Sequence, residues 1–231
     1  MNIKNYYIEK GQGLPLVLLH GNGEDHSYFE HQIKFFSIMY RVIAIDTRGH
    51  GLTERGEGPF TIAQFSDDLY KFMKAHGIKK AHILGFSDGA NIAMRFTLKY
   101  PEMVDKLILN GGNLFPAGVK RSAQIPIEIG FKIANFFAGK SECAKKNAEI
   151  LGLMVNDPFI KPFELESIMA RTLVIAGTKD LILKEHTELI AAHIPNSVLR
   201  FIKGDHFVAA KNPDEFNFVV NEFLNEKSKP S

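Results

Sequence analysis

The chain has 231 residues, with 28 Lys and Arg against 26 Asp and Glu, and its formal net charge of +2 argues against an extended nucleic-acid surface. Hydrophobic residues make up 45% of the chain and include 19 Phe, which is enough to bury a substantial core and excludes disorder of its bulk. The single cysteine, Cys143, excludes an internal disulfide and a cysteine-based metal cluster.

Short apolar runs rich in β-branched residues alternate with amphipathic stretches, which is the pattern of a parallel sheet covered by helices. The weak alternation over Ile3–Glu9 predicts an antiparallel edge strand ahead of the parallel ones. The predicted parallel strands are Leu16–Leu19, Arg41–Ile45, Ala81–Leu84, Lys106–Leu109, Thr172–Ala176 and Val198–Ile202. The predicted helices are Thr61–His76, Asp88–Lys99, Lys184–Ile194 and Asp214–Leu224.

The alternation is interrupted over residues 114–170, where no buried-strand run occurs. Apolar helical pieces lie around Ile125–Phe137, Ser141–Val155 and Pro162–Ala170, and an insertion of this length is too long for a plain connection. We expect a small helical cap over the carboxyl edge of the sheet, on a core made of residues 1–113 and 171–231. The alternative is a set of peripheral helices that cover no site.

A serine stands on a predicted tight turn between a buried strand and a helix, in Gly85-Phe86-Ser87-Asp88-Gly89. Small residues two positions on either side are needed there, because the backbone doubles back and a Cβ would collide with the strand or the helix. The Gly-x-Ser-x-Gly pattern is weak by itself, but between a strand and a helix it indicates a nucleophile. Ser87 is therefore the predicted nucleophile.

A serine nucleophile needs a base to take its proton and an acid to orient that base. Among nine histidines, His206 is the one that lies past the last predicted strand and completes the chain order of serine, acid and histidine. Asp180, which follows the strand Thr172–Ala176, is the predicted acid. Asp205 is the competitor, but the carboxylate of a sequence neighbour rarely reaches the far nitrogen of the adjacent ring.

Two backbone N–H groups are predicted to stabilise the oxyanion that acyl transfer creates. One is the amide of Asp88, at the helix N-terminus, and the other is the amide of Asn22, in the glycine-rich loop His20-Gly21-Asn22-Gly23. We expect His20 to hold this loop by hydrogen bonds rather than to act in catalysis. We expect a polar network that fixes a loop in Asp46-Thr47-Arg48-Gly49-His50-Gly51.

The side chain of Asp88 has two alternative roles. Turned outward in the first helical turn, it would favour the helix dipole. Turned into the pocket, it would bind a substrate ammonium group and repel anionic substrates.

Taken together, these motifs resemble the α/β-hydrolase superfamily over nearly the whole chain. The resemblance implies an α/β-hydrolase fold, with a mostly parallel sheet flanked by helices and a small helical cap. It also implies a Ser87–Asp180–His206 triad and hydrolysis through an acyl-enzyme without metal or organic cofactor. Haloalkane dehalogenases and epoxide hydrolases carry aspartate as the nucleophile, so a serine at position 87 argues against both of these activities.

Two details of the resemblance are narrower. The loop that begins at Asp46 is typical of the cap-bearing esterase and carbon–carbon hydrolase branch. The Ser-Asp-Gly turn is similar to that of valacyclovir-hydrolase (biphenyl-hydrolase-like) enzymes, in which the aspartate helps to recognise an amino group. That similarity implicates Asp88 in substrate binding.

The expected activity is cleavage of a small carboxylic ester or related acyl compound by a serine hydrolase. A carbon–carbon bond hydrolase, a thioesterase or a peptidase would use the same triad, and a ligand-sensing protein could retain it without turnover. The N-terminus lacks the apolar run of a signal peptide, and no stretch is apolar enough for a membrane span. We therefore expect a cytoplasmic monomer or homodimer that acts on a small molecule, with no nucleic-acid or membrane partner.

Overall fold

A seven-stranded β-sheet lies at the centre of the computed structural model, which describes residues 3–226. The strands run in the spatial order β1-β3-β2-β4-β5-β6-β7, and β1 alone is antiparallel to its neighbour. They are β1 (Tyr7–Lys10), β2 (Pro15–Leu19), β3 (Arg41–Ile45), β4 (Ala81–Phe86), β5 (Val104–Asn110), β6 (Arg171–Gly177) and β7 (Ser197–Ile202). Because β3 lies on one side of β2 and β4 on the other, the loops after β2 and β4 leave a crevice between them at the carboxyl edge.

Helices cover both faces of the sheet. They are α1 (Glu30–Phe36), α2 (Ile62–Ala75), α3 (Asp88–Lys99), α4 (Arg121–Phe137), α5 (Glu142–Asn156), α6 (Lys184–His193), α7 (Val208–Lys211) and α8 (Pro213–Asn225). Side chains alternate across each strand, so Val17 and Leu19 join the apolar cluster under α2, α3 and α6, whereas Leu16 and Leu18 join the cluster under α1 and α8.

The predicted parallel strands and the four predicted helices are confirmed, with small differences at their ends. The edge strand begins at Tyr7 rather than Ile3, because the amide of Tyr6 donates to the hydroxyl of Thr53 (2.8 Å) instead of to a strand. Helices α1 and α7 were not predicted, since seven and four residues are too few to give a clear helical period.

The insertion between β5 and β6 is helical, as predicted. It contains α4, α5 and a short 3-10 helix at Pro162–Ser167, so the third predicted piece is not an α-helix. Helix α4 continues through Pro126, which lacks the N–H for a bond to the preceding turn. The division into a core and a cap stays a prediction, and residues 1–2 and 227–231 of the predicted core lie outside the described residues.

The start of the insertion is attached to the loop that carries Asp180. The amide of Lys120 donates to the carbonyl of Leu181 (2.8 Å), and the amide of Leu183 donates to the carbonyl of Gly118 (2.8 Å). The Lys120 ammonium also donates to the backbone carbonyl of Asp180. Residues 114–170, which we call the cap, are therefore anchored beside Asp180, the predicted acid.

Candidate active site

Ser87 occupies a sharp turn between β4 and α3. Its φ of 53° makes it the one non-glycine residue with positive φ among residues 3–226, a conformation that costs energy and is typical of functional turns. A Cβ on Gly85 would collide with the carbonyl of Gly89, and a Cβ on Gly89 would collide with the carbonyl of Leu19. The two glycines thus allow the turn that the sequence predicts.

His206 bridges the other two predicted residues. Its Nε2 lies 3.0 Å from Ser87 Oγ, and its Nδ1 lies 2.7 Å from Asp180 Oδ1. His206 and Asp180 are buried, with 5% and 4% of their surfaces exposed. Three residues that are separated by up to 119 positions in the chain therefore form one hydrogen-bonded row.

Asp180 is held as a carboxylate by its surroundings. The amide of Ile182 donates to Oδ1 (2.9 Å), and the amide of Gly177 donates to Oδ2 (3.1 Å). Burial alone would raise the pKa of this carboxyl, but the hydrogen bond and charge of His206, together with the two amides, outweigh it and lower the pKa. An ionised Asp180 favours the His206 tautomer that carries its proton on Nδ1 and leaves Nε2 free to accept the serine proton.

Asp205 points away from the imidazole. Its Oδ1 accepts from the amide of Phe207 (2.9 Å), and its Oδ2 pairs with the exposed ammonium of Lys211. The choice of Asp180 over Asp205 agrees with this geometry.

The two amides predicted to hold an oxyanion flank the crevice at the carboxyl edge. Within the described part of the chain, neither the amide of Asn22 nor that of Asp88 donates to a protein acceptor. A Cβ on Gly21 would meet the ring of Phe86 at 3.0 Å, so the loop of residues 20–23, which we call the β2 loop, lies directly against the residue before Ser87.

The side chain of Asp88 is not turned outward. Only 7% of its surface is exposed, so the outward, helix-capping orientation is wrong. Its Oδ1 accepts from Asn91 Nδ2 (3.1 Å), while Oδ2 has no partner among the described residues. Burial raises the pKa of Asp88 to about 7, and the negative charge of nearby Asp157 adds to the rise.

His20 has the structural role that the sequence predicts. Its Nε2 accepts from the amide of Thr47 (3.0 Å), so the Nδ1 proton donates to the carbonyl of Gly21 (2.7 Å). Burial lowers the pKa of His20 to about 4, which keeps the ring neutral at physiological pH. His20 therefore joins the β2 loop to the loop after β3.

The loop after β3 is fixed by buried charges, in agreement with the predicted network. The Arg48 guanidinium pairs with the Asp68 carboxylate at 2.7 Å, and both side chains are almost fully buried. Asp46 Oδ1 accepts from the amide and Nδ1 of His26 (both 2.8 Å), and Oδ2 accepts from the amide of Leu52 (2.8 Å). Asp46, His26 and Asp25 have the atoms of a potential metal site, but Asp46 and His26 are already used by these hydrogen bonds.

Comparisons with known proteins agree with the fold. The family model described as the alpha/beta hydrolase fold matches residues 15–128. A meta-cleavage product hydrolase from Pseudomonas fluorescens IP01 superimposes with a TM-score of 0.78, is 25% identical and aligns over 96% of this chain and 94% of its own. The chain belongs to the α/β-hydrolase superfamily.

Other α/β hydrolases extend this similarity. The putative carbamate hydrolase RutD of Azorhizobium caulinodans is 26% identical in an alignment that covers 96% of this chain and 95% of that protein. A thermophilic esterase from Thermogutta terrifontis shares the fold, with a TM-score of 0.81, 23% identity and coverage of 96% of this chain and 93% of its own. This α/β hydrolase has, among residues 3–226, no helix with the length and apolar character needed to span a bilayer.

Glu24, which the sequence did not single out, contacts the β2 loop of this α/β hydrolase at Gly21. Its Oε2 accepts from the amide of Gly21 (3.1 Å), and its own amide donates to the carbonyl of Gly21 (3.3 Å). Burial raises the pKa of Glu24 to about 7. The only signal in the sequence is an acidic residue three positions after a glycine, which is too common to single out.

Proposed function

We propose that this α/β hydrolase cleaves a small carboxylic ester or related acyl compound through an acyl-enzyme on Ser87. The observation that carries the proposal is the bridging position of His206, 3.0 Å from Ser87 Oγ and 2.7 Å from Asp180 Oδ1. Distances of this size are within hydrogen-bond reach, so a proton can pass from the serine to the imidazole as the hydroxyl attacks.

The proposed reaction has two halves. In the first, Ser87 Oγ attacks the carbonyl carbon while its proton moves to His206 Nε2, and the imidazolium then gives that proton to the departing alcohol. In the second, water attacks the acyl-enzyme, gives a proton to His206 and releases the acid as the proton returns to Ser87. Asp180 stabilises the imidazolium in both halves, because its charge lies against Nδ1.

The developing oxyanion needs donors in fixed positions. We propose the amides of Asn22 and Asp88 for this role, and each such donor contributes roughly 3–4 kcal/mol of transition-state stabilisation. Their support is that both amides stand beside the Ser87 turn and are not engaged by a protein acceptor within residues 3–226.

Labelling by a fluorophosphonate tests the proposal. We expect the probe to modify the wild-type protein at Ser87, as located by mass spectrometry of peptides, and Ser87→Ala to abolish both labelling and turnover of p-nitrophenyl acetate. Thermal unfolding provides the control that the variant is folded. Turnover that persists in Ser87→Ala, or labelling at another residue, would contradict the mechanism.

A narrower proposal concerns substrate charge. We propose that Asp88 recognises a substrate ammonium group, because its Oδ2 is buried without a partner and a cation beside it would stabilise the carboxylate. Asp88→Asn should then weaken hydrolysis of amino-acid esters by about ten-fold more than that of uncharged esters of similar size. Equal losses on both substrates would contradict a binding role.

A further inference from the structure

The peptide unit between Gly21 and Asn22 is fixed on its carbonyl side. The carbonyl of Gly21 accepts from His20 Nδ1 (2.7 Å) and from the amide of Glu24 (3.3 Å). In a trans peptide the C=O and the following N–H point in opposite directions, so these bonds help to set the direction of the Asn22 N–H, and the side chain of Asn22 is a further constraint on it. A displacement of the Asn22 side chain can therefore displace the backbone N–H that is a proposed oxyanion donor.

The side chain of Asn22 reaches out of the core to the cap. Its Nδ2 donates to the carbonyl of Ile150 in α5 (2.7 Å), and its Oδ1 lies 3.3 Å from His50 Nε2. One residue earlier in α5, Glu149 pairs with Arg55 of the loop after β3 at 2.7 Å. Two consecutive residues of α5, Glu149 and Ile150, thus bond to the core. Of these two bonds, the one to Ile150 reaches the β2 loop and the one to Glu149 does not.

Few side chains of α5 and of its neighbour α4 are buried. Only Ala148 and Leu153 of its 15 residues are buried, and α4, which packs against it, has Gln124 alone buried. Leu153 joins the main apolar cluster, so α5 is held to the core by this side chain together with polar contacts such as the bond from Asn22.

We infer that the side chain of Asn22 is a positioning residue, which transmits the position of cap helix α5 to the oxyanion donor on its own backbone. The inference rests on the proposed function. A bound substrate that fixes the position of α5 would also fix the position of the Asn22 N–H. Loss of the bond between Asn22 and Ile150 would leave this donor present but poorly placed. Oxyanion stabilisation depends steeply on the position of the donor. We therefore expect loss of the connection to destabilise the transition state and to leave the affinity for the substrate unchanged.

The first experiment compares two side-chain amides that both donate to α5. Asn22→Ala removes the bond to Ile150 and keeps the backbone N–H, whereas Gln124→Ala removes the bond from Gln124 Nε2 to the carbonyl of Met154 (3.2 Å) inside the cap. With p-nitrophenyl acetate, we expect kcat to fall about ten- to thirty-fold in Asn22→Ala with KM within about two-fold, and to stay within about two-fold in Gln124→Ala. Asn22→Asp, which keeps the shape but cannot donate to Ile150, should repeat the loss if Asn22→Ala proves unstable.

A transition-state analogue separates positioning from general damage. The inhibition constant of a trifluoromethyl ketone, which forms a tetrahedral adduct with the serine, should rise by the same factor as kcat falls in Asn22→Ala. The inhibition constant of the product acid should not change. A purely structural role for Asn22 would weaken both inhibitors together.

A double-mutant cycle tests transmission from the cap. Arg55→Gln breaks the second connection, and we expect it to lower kcat about three-fold in the wild-type background and not at all in Asn22→Ala, because the route from α5 is then already broken. Additive effects, or unchanged kcat in Asn22→Ala while Ser87 of the wild type is still labelled, would overturn the connection alone. Absence of labelling in the wild type would overturn the proposed function and the connection with it.

Discussion

At the carboxyl edge of the sheet, the side chains of Asp180 and His206 are almost entirely buried, whereas Ile129 and Phe136 on α4 leave 54% and 73% of their surfaces in solvent. The two regions are held differently. Residues at the edge are placed by parallel strands with fixed register and by hydrogen bonds to neighbouring backbone. Helix α4 packs against α5, and an open groove of about 760 Å³ lies between them, lined by residues such as Gly130, Phe137 and Leu151.

This difference separates two tasks. Acyl transfer needs groups fixed to within a fraction of an ångström, and strand ends provide that. Choice of substrate needs only a surface of suitable shape, which a helical hairpin with few buried side chains can supply and alter without disturbing the sheet. The comparison predicts that substitutions at the edge change rates by orders of magnitude, and that substitutions on the outer face of α4 leave stability nearly unchanged.

The largest effect is expected from the acid at the edge. Asp180→Asn should lower kcat for p-nitrophenyl acetate by about 10³–10⁴-fold, because a neutral amide does not hold the His206 tautomer or stabilise its charged form. Steady-state kinetics measures this, and near-unchanged thermal unfolding would show that the fold survives.

Asp205→Asn is the matched control, since Asp205 is adjacent to the same histidine but bonds to Phe207 and Lys211 instead. We expect less than about a three-fold change in kcat, as for an exposed ion pair of small energetic weight. The reverse ranking of the two variants would mean that Asp205, not Asp180, is the acid.

The second prediction compares the stability lost when a buried phenylalanine below the sheet edge and an exposed phenylalanine of the cap are each replaced by alanine. Phe216 of α8 is fully buried in the cluster below the sheet, and Phe136 of α4 is mostly exposed. Phe216→Ala should lower the free energy of unfolding by about 3–5 kcal/mol, and Phe136→Ala by less than about 0.5 kcal/mol. Urea denaturation of both variants measures the difference, and a large loss in Phe136→Ala would show that α4 is covered in solution.

Sequence patterns predicted the edge better than the cap for a physical reason. A buried strand leaves a dense apolar run, and a tight turn demands glycine at fixed spacing, so Ser87 and its neighbours were recognisable from the chain alone. Asp180 and His206 followed from their positions after strands. Burial of Asp88 was not predictable, because residues that lie near it, such as Asp157 and His206, are remote in sequence.

The hydrogen bonds between the β2 loop and the cap could not be predicted from the sequence either. Asn22 and Ile150 are 128 positions apart, and neither belongs to a repeating pattern that indicates contact. The cap helices were located approximately, since their apolar residues recur at helical spacing even where the face is exposed. Which of those faces is buried depends on how α4 and α5 meet, and periodicity does not determine that.

The smallest effect is expected from Glu24, which contrasts a half-buried carboxylate at the edge with an exposed one in the cap. Its pKa rises from an ordinary 4.5 to about 7 on folding, so between these pH values the folded protein keeps a proton that the unfolded chain has lost. The free energy of unfolding should therefore decrease as pH rises from 4.5 to 7. Glu24→Gln, which retains an oxygen for the amide of Gly21, removes the part of this decrease that Glu24 causes.

We expect urea denaturation to give similar stabilities for wild type and Glu24→Gln at pH 4.5, and at pH 8 an advantage for the variant on the order of 2 kcal/mol. Glu166→Gln is the matched control, because Glu166 lies exposed in the cap and should give the same difference from wild type at both pH values. Asp88, whose pKa is also raised to about 7, leaves some pH dependence in Glu24→Gln, so the slope should shrink rather than vanish. An unchanged slope would mean that Glu24 is ionised at the edge throughout this range, and that the bond to Gly21 is a bond to a carboxylate.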